Sequence, residues 1–308
     1  MSLHIPVMLP EVCRLLEGLE NKRLIVDATL GLGGYSEGIL HKWQKVAVLG
    51  IDQDPQAVEV ARRRLSDFGD RFKAIHGNFR DLSCLLNESG MGKPDAVIFD
   101  LGVSSMQIET PERGFSFQEN GPLDMRMNTT DEHQDIAAEI VNTYSMRELT
   151  TIFRKYGEEP YALQIARGIV RHRERSGPIT GTSELVEVIR KTLPAPVQRK
   201  MGRNPSRKVF QALRIAVNDE LDALDDALEQ CTGLYGGRMA VIVVSYHSLE
   251  DRIVKNKFRE WKSKGLGEVP FRKPLTPEQV ELEGNWRSRS AKLRAFFFKE
   301  GSMEGKAK

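Results

Sequence analysis

Cysteine is scarce and scattered: Cys13, Cys84 and Cys231 are the whole complement, odd in number and with no CxxC pair. That argues against a disulfide framework and a zinc site, and it fits a reducing compartment. Long apolar runs are missing as well. No stretch approaches the roughly 18 consecutive apolar residues of a membrane helix. The first residues lack the basic-then-apolar order of a secretory signal. The expected location is the cytoplasm, with no membrane partner. A surplus of one charge is also lacking, since 45 Lys and Arg oppose 43 Asp and Glu for a net +2. Only the distribution of charge can therefore point to a partner. With no internal repeat and 308 residues, the chain is long for one core, and about two domains are expected.

What is present begins with a strand–helix alternation. Leu24 to Thr29, Val46 to Ile51, Phe72 to Ile75 and Ala96 to Asp100 read as strands. Two of them are apolar on both faces, as in a parallel sheet covered by helices on each side. Pro55 to Phe68 sets Val58, Ala61 and Leu65 on one helical face, and Arg80 to Met91 reads the same way. The default is a doubly wound α/β sheet. From Leu101 to about Asp131 the periodicity lapses, and a loop of that length carrying Phe115, Phe117, Leu123, Met125 and Met127 is expected to be ordered and functional. A helical stretch follows over roughly Asp135 to Leu193, with Pro160 at a helix start. One long helix then carries Leu213, Val217, Leu221, Leu224 and Leu228. Strands return at Arg238 to Ser245 and Leu293 to Lys299. The expectation is one sheet domain interrupted by a helical insertion.

The sharpest local pattern is Val26-Asp27-Ala28-Thr29-Leu30-Gly31-Leu32-Gly33-Gly34-Tyr35-Ser36. A buried strand meets an acid, then a glycine-rich turn, then a helix, so backbone can approach a ligand closely. The dinucleotide fingerprint fails at its third glycine, where Ser36 stands. Asp52, ending the second strand about twenty residues on, can accept from both hydroxyls of a ribose. A pyrophosphate would be repelled by Asp27 and Asp100, whereas an ammonium and a sulfonium would be attracted. The loop therefore fits S-adenosylmethionine better than NAD. Taken singly, each glycine could simply make a turn and each Asp cap a helix. Gly233-Leu234-Tyr235-Gly236-Gly237-Arg238, a plain turn by itself, enters the fifth strand as it often does in methyltransferases.

Further blocks carry a resemblance. They are Asp100-Leu101-Gly102-Val103-Ser104-Ser105-Met106-Gln107, Arg113-Gly114-Phe115-Ser116-Phe117 and Gly121-Pro122-Leu123-Asp124-Met125-Arg126-Met127. Tyr156-Gly157-Glu158-Glu159, Phe210-Gln211-Ala212-Leu213-Arg214-Ile215 and His247-Ser248-Leu249-Glu250-Asp251-Arg252 continue it, from His4-Ile5-Pro6 to Arg289-Ser290-Ala291-Lys292-Leu293-Arg294. Together they resemble the RsmH (MraW) family of bacterial rRNA methyltransferases, across nearly the whole chain. The resemblance implies methyl transfer from S-adenosylmethionine to a cytosine N4 in the decoding region of small-subunit rRNA. It also implies a class I (Rossmann-like) methyltransferase sheet with an inserted all-helical domain. The expected division is 1–110 with 211–308 for the cofactor-binding domain, and 111–210 for the loop plus helical substrate-binding domain. Carried over by motif, cofactor contacts fall on Gly33, Gly34, Tyr35, Asp52, Phe79, Asp100 and Gln107. Two departures stand out: the family usually has His at Tyr35, and His-Pro-Ala-Thr-Arg-Thr where this chain has Asn204-Pro205-Ser206-Arg207-Lys208-Val209.

Cytosine N4 is a poor nucleophile because its lone pair is delocalised into the ring. Transfer needs it in line with the methyl group and benefits from an acceptor for the N4 hydrogens. Asp100-Leu101-Gly102-Val103 stands where many amino methyltransferases place a Pro-Pro-aromatic motif, so the acceptor is sought elsewhere. Asp124 and His247 are the candidates, although Asp124 also suits a turn and His247 a strand end. Ser248 with Asp251 reads as a capping box. No metal is expected. Arg113, Phe115 and Phe117 offer faces on which a base could stack, or else anchor the loop to a core. Between Arg154 and Lys208 the insertion is conspicuously basic, with Arg167, Arg171, Arg173, Arg175, Arg190, Arg199, Lys200, Arg203 and Arg207 among its charges, a footprint for phosphates. Trp286, Arg287, Arg289, Lys292 and Arg294 extend it. The expected partner is small-subunit rRNA or the subunit itself, with a homodimer left open. The competing readings are an RNA-binding assembly factor that keeps cofactor binding without turnover, a methyltransferase for DNA or a small molecule, and, more distantly, an NAD enzyme.

Overall fold

The computed structural model describes residues 6–131, 133–200 and 205–299, without the Lys200 side chain. His4, Ile5, Arg203 and Asn204 lie outside the described residues. The chain forms two compact units, one of residues 1–102 and 221–308, the other of 103–220.

In the first unit α1 (Leu9–Glu17) precedes β1 (Leu24–Asp27), α2 (Gly34–Lys42), β2 (Ala47–Asp52), α3 (Pro55–Arg64), β3 (Phe72–His76), α4 (Leu82–Ser89) and β4 (Ala96–Asp100). The second unit contributes α5 (Ser105–Glu109), α6 (Ala137–Thr143), α7 (Met146–Lys155), α8 (Ala162–Ser176), α9 (Thr182–Thr192), α10 (Ala195–Lys200) and α11 (Arg207–Asn218). The first unit resumes along α12 (Glu220–Leu234), then β5 (Ala240–Ser245), α13 (Ser248–Ser263), β6 (Gly267–Glu268), α14 (Gln279–Gly284) and β7 (Lys292–Phe298).

The sheet order is β3-β2-β1-β4-β5-β7-β6. β1 to β5 run parallel, and β7 is antiparallel to β5. Alternation along the strands separates two cores. Leu24, Val26, Val97, Phe99, Val241 and Val243 face α4, α12 and α13, whereas Ile25, Val48, Ile98, Ile242 and Val244 face α2 and the N-terminal segment. This is why β1 and β5 read as continuous apolar runs. Phe296, Phe297 and Phe298 obey the same rule: the outer two pack with Trp261, and Phe297 turns to the other face. Because β1 is flanked by β2 and β4, chain direction reverses there, and the crevice beyond the strand ends is where such sheets bind ligands.

The second unit has its own core of Leu123, Met125, Phe153, Ile165, Ile169, Ile189, Phe210 and Leu213. The stretch over Asp135 to Leu193 is four helices, α6 to α9, not one periodic run. The long helix expected around Leu213 to Leu228 is likewise two. Asp219, at φ 49 and ψ 38, ends α11 in a left-handed turn. Leu213 and Val217 then belong to the second unit's core, Leu224 and Leu228 to the first's. One helical stripe thus serves two cores, and the units divide at 102/103 and 220/221 where the sequence pointed to 110/111 and 210/211. No described helix is long and apolar enough to cross a membrane.

Candidate functional site

In the first unit three carboxylates end three strands. Asp27 closes β1, Asp52 closes β2 and Asp100 closes β4. Asp27 is fully buried; Ser36 Oγ donates to its Oδ2 at 2.7 Å, and Oδ1 has no hydrogen-bond partner. Burial pushes its carboxyl up to about 6, partly opposed by the Ser36 bond. Asp52 accepts Gly31 N at 2.7 Å on Oδ2 and Asp54 N at 2.9 Å on Oδ1. Burial pushes it up to about 6, with the two amides pulling the other way. Each Asp52 oxygen keeps a further lone pair, the number two ribose hydroxyls require.

Asp100 is raised most, to about 7, by burial first and then by the nearby Asp27, Glu250 and Glu281 charges. Thr29 Oγ1 accepts its backbone N–H at 2.6 Å, and Tyr246 Oη donates to its Oδ1 at 2.6 Å. Tyr246 follows β5, the strand beside β4, and nothing local in the sequence pointed to it. Three acids held this far towards neutrality form a crevice that a cation would stabilise in its ionised form. The orphan Asp27 Oδ1 is part of the same unmet demand, although Asp27 is sealed behind the loop and acts through space.

Gly33 is the N-cap of α2 at φ 82, where an added Cβ would stand 2.9 Å from Leu65 Cδ1. Glycine is therefore required twice over, by conformation and by space. The first-turn amides of Gly34 and Tyr35 have no carbonyl partner within the helix and favour negative charge. The Tyr35 side chain is buried, with its hydroxyl donating to Val7 O. Any ligand contact at this position thus belongs to the backbone. Phe79, just beyond β3, stands edge-on to Phe99 at 5.7 Å and is half-buried.

His247 is the N-cap of α13. Its Nδ1 accepts from Glu250 N at 3.4 Å, and Glu250 Oε2 accepts from Tyr246 N at 2.8 Å. The capping box is therefore His247 with Glu250, one residue before the expected Ser248 and Asp251. Asp251 instead takes the Arg294 guanidinium, Nε to Oδ1 at 2.7 Å, which removes Arg294 from any free basic patch. His247 Nε2 lies 3.1 Å from Glu250 Oε1, close enough to pair once protonated, yet it is buried and makes no aligned hydrogen bond.

The remaining sequence-predicted residues lie in the second unit. Gln107 is buried in α5, its carbonyl oxygen accepting Ser104 N at 2.9 Å in a capping box. Asp124 is gripped by Arg126, Nε to Oδ1 and Nη2 to Oδ2, both at 2.9 Å. Burial would raise its carboxyl, but the Arg126 bonds outweigh it and hold it below the usual range. Arg113 is buried, with Nη2 donating to Arg126 O and Met127 O at 3.0 Å each. Its guanidinium staples the loop and does not face solvent. Phe115 and Phe117 pack on the helical core, Phe117 edge-on to Phe210. Asn218, which sequence reasoning passed over, completes the staple by accepting Met127 N and donating to Met125 O, both at 2.7 Å. Arg167, Arg171 and Arg175 are exposed along α8, and Arg207 is exposed on α11. Arg173 turns inward to Val141 O and Tyr144 O.

Comparison with known proteins follows from this geometry. The profile of the MraW methylase family matches residues 1–299. A protein from Carboxydothermus hydrogenoformans named ribosomal RNA small subunit methyltransferase H is 45% identical over 309 residues, covering 95% of this chain and 96% of its own. A protein of the same name from Nocardioides sp. is 46% identical over 257 residues, or 83% of this chain and 79% of its own. A solved SAM-dependent O-methyltransferase from Thermotoga maritima overlaps with a TM-score of 0.41 at 11% identity, over 99% of this chain and 70% of that one.

Proposed function

The chain belongs to the MraW methylase family, and we propose that it transfers a methyl group from S-adenosylmethionine to the N4 of a cytosine in the decoding region of small-subunit rRNA. Its sheet is a class I (Rossmann-like) methyltransferase sheet. The observation that carries the chemistry is the crevice of Asp27, Asp52 and Asp100, each pushed up into the range of about 6 to 7 and each short of a cation. S-adenosylmethionine, when bound, supplies an electrophilic methyl on a sulfonium together with an ammonium.

Asp100 is the residue for the ammonium, Asp52 for the ribose hydroxyls, and Phe79 for one side of the adenine. The Gly34 and Tyr35 amides at the start of α2 suit the carboxylate. Gln107 is carried over from the family as a further contact. Replacing Tyr35 by the family's usual His exchanges a packed side chain and leaves these amides in place.

For the N4 hydrogens, Asp124 is the better acceptor of the two candidates. Its Oδ1 takes both Arg126 N and Nε, but Oδ2 takes only Nη2, so a lone pair remains on an ionised carboxylate. His247 has both ring nitrogens turned into the start of α13. RNA phosphates are proposed to meet the exposed Arg167, Arg171 and Arg175, which repeat every four residues, or about 6 Å along α8. Arg207 extends that surface. Arg113 and Phe115 shape the loop from within, so their part in RNA binding is indirect.

The test is transfer of labelled methyl to small subunits lacking the modification, followed by mass mapping. Label on a cytosine N4 supports the whole reading. Cofactor binding without incorporation, on both free rRNA and assembled subunits, would move the chain to a non-catalytic assembly factor. Sedimentation of the full chain decides whether it also forms a homodimer.

A further inference from the structure

Trp286 is 62% exposed, the one aromatic among the large hydrophobic side chains left exposed in the described residues. The backbone beneath it is firmly built. Asn285 caps the short 3-10 turn Trp286–Ser290, its Oδ1 accepting Arg287 N, and Ser288 Oγ donates to Asn285 O at 2.7 Å. Ser288 and Ala291 are buried, so the turn is anchored while the indole points outward. The Arg287 guanidinium lies 5.0 Å from the ring centroid, and Arg289 is exposed two residues on. Acids nearby are engaged elsewhere. Glu281 accepts Met8 N at 2.8 Å, Glu283 accepts Gln279 Nε2 at 2.9 Å, and Glu278 lies 3.5 Å from Arg14.

We propose that Trp286, flanked by Arg287 and Arg289, is a stacking platform for an unpaired base of the RNA substrate, on the methyltransferase unit and separate from the helical one. The proposal rests on the reading of RNA as substrate. A flat aromatic face beside two cations matches a base and its phosphate, since stacking tolerates any base and the guanidinium groups meet the backbone. A protein partner would be served by an apolar ring with neutral surroundings, and the two arginines argue against it.

The chain's three tryptophans make the test direct. Trp261 is 1% exposed and Trp43 is half-buried, so Trp286 is the open reporter. A single-stranded RNA oligonucleotide containing the decoding-region cytosine is titrated into the full chain, with a duplex of the same sequence as comparison. The expected result is fluorescence quenching by the single strand that is lost in Trp286→Phe, whose affinity stays within about threefold because a ring remains. Trp286→Ala is expected to weaken single-strand binding roughly tenfold, with S-adenosylmethionine affinity and thermal midpoint unchanged. RNA binding by the wild type without quenching, and with equal affinity in Trp286→Ala, overturns the platform and leaves the RNA reading standing. No binding of either RNA overturns both. Loss of self-association in Trp286→Ala, with RNA affinity intact, assigns the ring to a protein contact and also overturns the proposal.

Discussion

Tyr246 Oη donates a 2.6 Å hydrogen bond to Asp100 Oδ1, joining the residue after β5 to the last residue of β4. The bond fixes the orientation of the carboxyl and favours its ionised form, against burial and against Asp27, Glu250 and Glu281. It is the one side-chain donor that tempers the most strongly raised acid of the crevice.

Removing that donor should be visible as a pH effect. Tyr246→Phe is expected to raise the Asp100 pKa further, weakening S-adenosylmethionine binding at pH 7 by roughly three- to tenfold, from loss of one hydrogen bond to a charged group. The deficit should shrink by pH 8.5 to 9, where Asp100 ionises without help. Calorimetry at both pH values checks this, and a deficit independent of pH would assign Tyr246 to packing alone.

The wild type should show its own dependence. Asp100, at about 7, and Asp52, at about 6, must be ionised to hold a cation and ribose hydroxyls. Cofactor affinity is therefore expected to be flat above pH 8 and to fall as pH drops from 7 to 5.5, with net proton release on binding. The free protein should behave in the opposite sense. A carboxyl whose folded pKa lies above its unfolded value destabilises the fold as pH rises through that interval. Asp100→Asn should consequently raise thermal stability by a few degrees while losing the cofactor. A lower melting temperature in that variant would contradict the raised pKa.

Asp52→Ala should weaken cofactor binding by roughly 10- to 100-fold, from loss of charge-assisted hydrogen bonds to the ribose. The fold should remain, because the Gly31 and Asp54 amides that it accepts lie at a loop edge open to water. Calorimetry together with circular dichroism separates the two effects; unchanged affinity would remove Asp52 from the ribose.

Two arginines of the second unit should part company. Arg113→Ala leaves the carbonyls of Arg126 and Met127 unpaired and is expected to cost about 2–4 kcal/mol of stability, read in a denaturant melt. Charge reversal of Arg167, Arg171 and Arg175 together should leave stability nearly unchanged. It should flatten the salt dependence of RNA binding by about 2 in log–log slope, at roughly 0.7 per phosphate contact on a single strand. An unaltered slope would take α8 out of the RNA interface.

Much of the first unit was legible because its signals are local. Strand burial on both faces, the glycine turn and the acid closing β2 all follow from periodicity and residue type within a few positions. The reading of one helix from Leu213 to Leu228 missed the break at Asp219 because its apolar spacing never lapses. What changes there is which core the stripe faces, and periodicity carries no record of that. Arg113 read as a base-stacking cation for a similar reason, since a guanidinium looks the same in sequence whether its donors meet phosphates or loop carbonyls.

By itself, then, the sequence determined the sheet's strands, the cofactor turn with its acids, the presence of a basic helical insertion and, through its motif blocks, the family. Tertiary structure alone decided that Tyr246 holds Asp100 across 146 residues, that Tyr35 turns to Val7, and that Asn218 and Arg113 lock the loop. The reason is physical: backbone preference and burial pattern are encoded along the chain. The partner of a buried donor or acceptor is set by strand order and helix packing, which bring together residues that no local spacing connects.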